Sequence, residues 1–184
     1  MASCSTRPPT ADELSQLPAY QYDALREHEF RIVHLHPGTD ADELVISVEV
    51  RATVTSPFNA VSYVWGETER AHRIYAANAI VTHEIKDGEK VVCVETEVPP
   101  SAYIMVTDNL RKVLRSIRRK ELYVPLWIDS LCINQGDITE KSSQVKKMDI
   151  FYSNASSTLI CLTGYEEMMP YIFEIIDALA AMKD

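Results

Sequence analysis

Asp129, Asn134 and Gln135 place a carboxylate and two amides within one short stretch of chain, side chains that donate and accept hydrogen bonds to a polar ligand. Leu126, Trp127 and Ile128 precede them, following Pro125 as a short apolar run with the pattern of a strand buried on both faces. Asp129 therefore falls at a strand's carboxyl end, where ligands of open parallel sheets bind. The same carboxylate has a plainer use, accepting N–H bonds from its own loop, and the sequence leaves both uses open.

The elements that must hold these groups follow directly. Leu131, Cys132 and Ile133 fold the loop back onto the body, and Gly136 supplies the turn. Asp137 and Glu140 have capping-box spacing, with Asp137 as N-cap, and Val145, Met148, Phe151, Tyr152 and Ala155 recur at helical spacing. The spacing predicts a helix over about 138–154. Thr158 to Leu162 is β-rich and apolar, and should run parallel to the first strand with that helix as a right-handed crossover.

Upstream, residues 1–17 are polar, Pro-bearing and read as a flexible leader. FRIVHLHPGTDADELVISVEVRA predicts a hairpin that puts His34 and His36 on one strand face; no Asp, Glu or Cys pattern completes a metal site, so a packing or surface role is expected. Ala60 to Trp65 predicts another strand, ended by Gly66, with Ser62, Tyr63 and Trp65 as its polar edges. Residues 67–107 read as an inserted set of short strands, with a hairpin signal at Asp87-Gly88 and a break at Pro99-Pro100. Asp108 is expected to cap a helix through NLRKVLRSIRRK. Its basic residues, Arg111, Lys112, Arg115, Arg118, Arg119 and Lys120, read as a solvated face rather than a phosphate site. A further helix is expected from near Pro170.

Composition narrows the function classes. A chain of 184 residues, 46% hydrophobic, supports one α/β domain. The formal net charge of −9 argues against nucleic acid and against an anionic membrane surface as partner. Cys4, Cys93, Cys132 and Cys161 are scattered without zinc or disulfide spacing, and no signal-peptide core or membrane-length apolar run occurs. A cytoplasmic protein without membrane insertion is expected. The glycines form no dinucleotide or Walker-type loop, no catalytic triad is readable from spacing, and Cys132 in its apolar context reads as packing.

FNAVSYVWG (58–66), LWIDSLCINQ (126–135) and the stretch 140–164 with Gln144, Met148, Tyr152 and Ala155 resemble the three blocks of the fungal heterokaryon incompatibility (HET) domain. Weaker similarity covers YQYDAL, RIVHLHPG and VTDNLRKVLRSIR, so that the likeness runs from about Tyr20 to Gly164. The resemblance implies a HET domain over 18–184 with a β-rich insertion at about 67–107. It also implies an α/β fold related to the Toll/interleukin receptor (TIR) domain, a flavodoxin-like parallel sheet with flanking helices and an added β-hairpin region. The implied role is nonself recognition that triggers programmed cell death through self-association or a protein partner.

Some members of that wider fold group cleave NAD, and the alternative the resemblance offers is a TIR-type NAD glycohydrolase. NAD would then be a substrate, with no cofactor required and no metal. Its pocket or motif residues would be Ser62, Tyr63, Trp65, Gly66, Trp127, Asp129, Asn134 and Gln135, with Glu140 and Gln144 on the motif helix. The family pattern has a later Trp and Gln-Glu block, the natural place for a catalytic glutamate, and this chain has no Trp after Trp127. The expectation is a domain incomplete at its C-terminal end. Glu166, Glu167 and Glu174 lack the neighbouring Trp that the later block would provide.

Overall fold

The computed structural model describes residues 9–53, 57–66, 68–78, 81–86, 89–94 and 99–162, with backbone only for the two segments between 81 and 94. The helix expected after Pro170, with Glu166, Glu167 and Glu174, lies outside the described residues. In chain order the elements are α1 (Ala11–Ser15), β1 (Phe30–Leu35), β2 (Val45–Arg51), β3 (Asn59–Tyr63), β4 (His72–Ala77), β5 (Val81–Lys86), β6 (Glu89–Val94), β7 (Pro100–Val106), α2 (Asp108–Ile117), β8 (Val124–Trp127), α3 (Asp129–Cys132), α4 (Ile138–Val145), α5 (Met148–Asn154) and β9 (Ser157–Cys161).

The fold is α/β. Its main sheet has the order β7-β4-β2-β1-β8-β3-β9, and the three strands expected to be parallel neighbours are so. Asn59 and Ala60 of β3 pair with Leu126 and Trp127 of β8, and β3 pairs along its other edge with β9, from Asn59 against Ser157 to Tyr63 against Cys161. Tyr63 is the last residue of β3, so Trp65 stands beyond the strand rather than in it. The predicted β1–β2 hairpin is present, and β1 joins β8 antiparallel, so the hairpin stitches the parallel strands to the rest of the sheet. Every residue of β1 is buried, which fits a strand with core on both faces. Ile32, Val33, Leu35, Leu114, Leu126 and Phe151 are among the residues of that core.

The inserted stretch is more deeply built in than its composition suggested. β4 pairs in parallel with β2, β7 pairs antiparallel with β4, and together they complete one edge of the main sheet. Strands β5 and β6 form a two-stranded sheet whose last pair, Lys86 and Glu89, flanks Asp87-Gly88 as the hairpin signal required.

Several local expectations are corrected by side-chain chemistry. Part of the supposed loose leader is regular: Thr10 and Glu13 form a reciprocal capping box at α1, and Leu14 is buried. Tyr20 N–H then bonds Tyr103 C=O at 2.8 Å and Tyr103 N–H bonds Pro18 C=O at 2.9 Å, strapping the segment along β7. Thr107, extended at φ −71 and ψ 158, caps α2 in place of Asp108. Asp108 instead pairs with Lys112 at 2.9 Å and Arg111 at 3.3 Å. The basic face is not simply solvated. Arg118 donates to the carbonyls of His36, Thr39, Asp42 and Glu43, holding the loop between β1 and β2. Gly38, at φ +154, lies where any Cβ would overlap that guanidinium. The helix predicted over 138–154 is two helices, interrupted at Lys146-Lys147.

His34 and His36 each have a hydrogen-bond partner: His34 Nε2 lies 2.7 Å from Glu49 Oε2, and His36 Nε2 lies 2.6 Å from Ser47 Oγ. Burial, with the nearby His34 and Arg118 charges, lowers His36 to about 4. Burial pushes Glu49 upward, but its bonds to His34 and Arg51 outweigh that and hold it at about 2. The unfolded chain therefore takes up a proton at His36 first as pH falls from 6.5 to about 4, and at Glu49 as pH falls from 4.5 to about 2. Stability should be fully present at pH 7 and lost progressively on acidification, with His36 contributing up to about 3 kcal/mol of that loss by pH 4. Urea titrations at pH 7, 5.5 and 4 measure it, and a midpoint that does not move between pH 7 and 4 contradicts it.

Among the described residues no helix is long and apolar enough to cross a membrane.

Candidate functional site

Strand β8 ends at Trp127, and Ile128, still extended at φ −131 and ψ 118, hands the chain to the single helical turn α3. That turn exists because Leu131, Cys132 and Ile133 all find buried positions, as the apolar character of the loop implied. Cys132 is a packing residue: burial pushes its thiol up to about 12, and Sγ faces the Leu126 carbonyl at 3.8 Å.

Asp129 begins the turn and ties two loops together. Its Oδ1 accepts from Ser130 N–H at 2.6 Å, and its Oδ2 accepts from the indole Nε1–H of Trp65 at 3.2 Å. Burial raises its pKa, while the Ser130 and Trp65 bonds pull the other way. The neighbouring residue repeats the link, since Tyr63 Oη donates to Ser130 Oγ at 2.8 Å. Gly66, at φ +69, turns the chain after Trp65, and the Asn109 amide of α2 donates to the Val64 carbonyl just before it. Asp129→Ala should cost about 1–3 kcal/mol, because Ser130 N–H and the Trp65 indole lose their acceptor. A thermal melt reports it, and an unchanged transition counts against the link.

The amides of the loop point partly inward. Gln135 Nε2 donates to the Asp129 carbonyl at 3.0 Å, and Asn134 Oδ1 accepts from Gly136 N–H at 3.1 Å. Asp137 caps α4 as expected, accepting from Thr139 and Glu140 N–H at 2.9 and 3.0 Å. Glu140, however, does not return to the cap. Its carboxylate accepts from Asn134 N–H at 2.7 Å and meets Arg31 in a forked pair, Nη1 to Oε1 at 2.6 Å and Nη2 to Oε2 at 3.0 Å. Arg31 is 1% exposed, also donates to the Cys132 and Asp23 carbonyls, and lies 4.9 Å from the Tyr22 ring centroid. Gln144, buried, donates to the Glu29 carbonyl at 2.9 Å. Together these contacts fasten the second and third sequence blocks to β1 and the segment before it.

Two adjoining cavities open beside the carboxyl ends of β3 and β8. The first, about 170 Å³, is lined by Tyr63, Trp65, Gly66 and Leu110 among others. The second, about 260 Å³, is lined by Tyr20, Tyr22, Tyr103, Asn134, Gln135 and Gly136 among others. Arg70, Met105 and Ser130 belong to both walls.

Of the residues named from sequence, Tyr63, Trp65, Gly66, Asn134 and Gln135 line these cavities, and Asp129 binds the rim. Glu140 and Gln144 brace the loop from behind. Trp127 lies elsewhere, fully buried with its ring 5.0 Å from Phe151 and 5.5 Å from Tyr152, and Ser62 is an exposed residue of β3 opposite Ile160. Arg31, Arg70, Tyr22 and Tyr103 were not foreseen. A charged residue inside the otherwise apolar run FRIVHL was the available signal for Arg31. Arg70 and Tyr103 carry no comparable local mark.

A model of the family described as heterokaryon incompatibility protein (HET) matches residues 58–182, more than half of the chain. Heterokaryon incompatibility protein 6, OR allele, of Neurospora crassa is 34% identical over 139 residues, covering 72% of this chain and 18% of that protein. The chain thus spans less than a fifth of the length of this curated relative. No solved structure matches the chain. With the matched segment taking in all three sequence blocks, the chain belongs to the heterokaryon incompatibility (HET) family.

Proposed function

We propose that the chain acts in fungal nonself recognition, as a cytoplasmic domain whose self-association or engagement by a protein partner starts programmed cell death after incompatible cells fuse. Family membership supports the role, and the observation that carries it to particular residues is the network of Trp65, Asp129, Asn134, Glu140 and Arg31. Such a network holds an exposed rim rigidly, which suits a surface that must be read by another molecule. Inducible expression of residues 1–184 in a filamentous fungus, scored by uptake of a viability dye, tests it. Death upon induction is expected; a chain that accumulates in folded form and leaves the hyphae viable overturns the reading.

A second reading, NAD cleavage of the TIR type, is favoured by one observation: the cavities lie outside the carboxyl ends of parallel strands, where α/β sheets bind ligands. Loss of nicotinamide develops positive charge that needs a fixed carboxylate beside it. Asp129 is a poor source, because both its oxygens are engaged by Ser130 and Trp65. On this reading the catalytic glutamate lies beyond Asp184, in the later Trp-containing block of the family pattern, and residues 1–184 by themselves should release no measurable nicotinamide from NAD. Robust release by this chain refutes that placement.

A further inference from the structure

We infer that the two cavities are lobes of one cleft that binds a small aromatic acid. At about 170 and 260 Å³, each falls below the roughly 300 Å³ at which ligand pockets usually begin. Arg70, Met105 and Ser130 stand in both walls, so the lobes adjoin, and only joined do they reach that range. The ligand they admit is therefore a small one.

The walls define its chemistry. Tyr63 and Trp65 give the first lobe aromatic rings and Leu110 an aliphatic wall, suited to one ring system. Arg70 is the one charged side chain among the described residues lining either lobe, and it is placed where the lobes meet. Its guanidinium is exposed and makes a single long bond, Nη1 to the Met105 carbonyl at 3.5 Å. The remaining N–H groups are free to take a carboxylate or phosphate in forked geometry. Gln135 supplies a third requirement. Its NH₂ is held by the Asp129 and Ile133 carbonyls, while its Oε1 is buried without a hydrogen-bond partner. A buried acceptor left unpaired is costly until a donor reaches it. A ring carrying both an acid group and an N–H or O–H meets all three conditions.

The inference goes beyond the recognition role, and its test is read in vitro, apart from hyphal viability. The chain has two tryptophans, Trp65 in the cleft wall and Trp127 in the core, so a ¹H–¹⁵N spectrum of residues 1–184 contains two indole N–H peaks. Trp65→Phe assigns them. The probes are indole-3-acetate, indol-3-yl phosphate, indole-3-acetamide and acetate. At least one of the two acids should shift the Trp65 peak saturably and leave the Trp127 peak in place, and comparison of the two identifies the preferred acid group. The amide and acetate should bind at least about tenfold more weakly, and Arg70→Gln should weaken the acid by about tenfold with the spectrum otherwise unchanged. No saturable shift with either acid, equal binding of acid and amide, or undiminished affinity in Arg70→Gln each overturns the inference.

Discussion

Replacing Glu140 by glutamine is expected to destabilise the protein by about 3–5 kcal/mol, the range for removing one partner of a buried ion pair. Arg31 is 1% exposed and Glu140 9% exposed at the side chain, so neither charge is relieved by water once the other has gone. The glutamine can still accept one hydrogen bond, but the guanidinium would keep its full desolvation cost without a counter-charge. Arg31→Met should cost a similar amount for the converse reason. The double variant Arg31→Met with Glu140→Gln removes both charges, and it should cost well under the sum of the single losses. Denaturant unfolding of the four proteins gives the coupling directly. Additive losses would mean that the pair is not the element holding the loop.

Trp127→Ala is the second large effect, expected at about 3–5 kcal/mol. The side chain is completely buried between β8 and α5, with the rings of Phe151 and Tyr152 about it. Truncation would remove that ring and leave a cavity beside the Phe151 and Tyr152 rings in a close-packed core. The indole Nε1 has no hydrogen-bond partner in the structure. Trp127→Phe therefore loses packing volume and no hydrogen bond, and should cost clearly less than the alanine variant. Midpoints from urea unfolding distinguish the two, and equal losses would contradict the packing account.

The parallel trio of strands was readable because each is a short apolar run bounded by a local stop: Pro125 and Asp129 around β8, Pro57 and Gly66 around β3, and Thr163-Gly164 after β9. Long-range pairing was not. β4 and β7 look like an insertion because nothing local says that Tyr75 will lie beside Val45 in β2. The capping-box spacing of Asp137 and Glu140 is a true local signal, yet only half of it survives. Arg31, brought from β1, offers Glu140 a buried charge partner stronger than the N-cap amide, and tertiary context prevails. Trp127 was misplaced for a related reason: an aromatic two residues before Asp129 can face the site or the core, and strand pattern alone does not separate the two on a doubly buried strand.

The three sequence blocks work as one unit only if Glu140 reaches across its loop to hold the chain at Asn134. Amide hydrogen exchange at Asn134 in the wild-type chain measures that most directly, because its N–H has the Glu140 carboxylate as acceptor. Exchange at least about a hundredfold slower than in an unstructured peptide is predicted, despite the position of Asn134 in a loop. Exchange at the unstructured rate would contradict it.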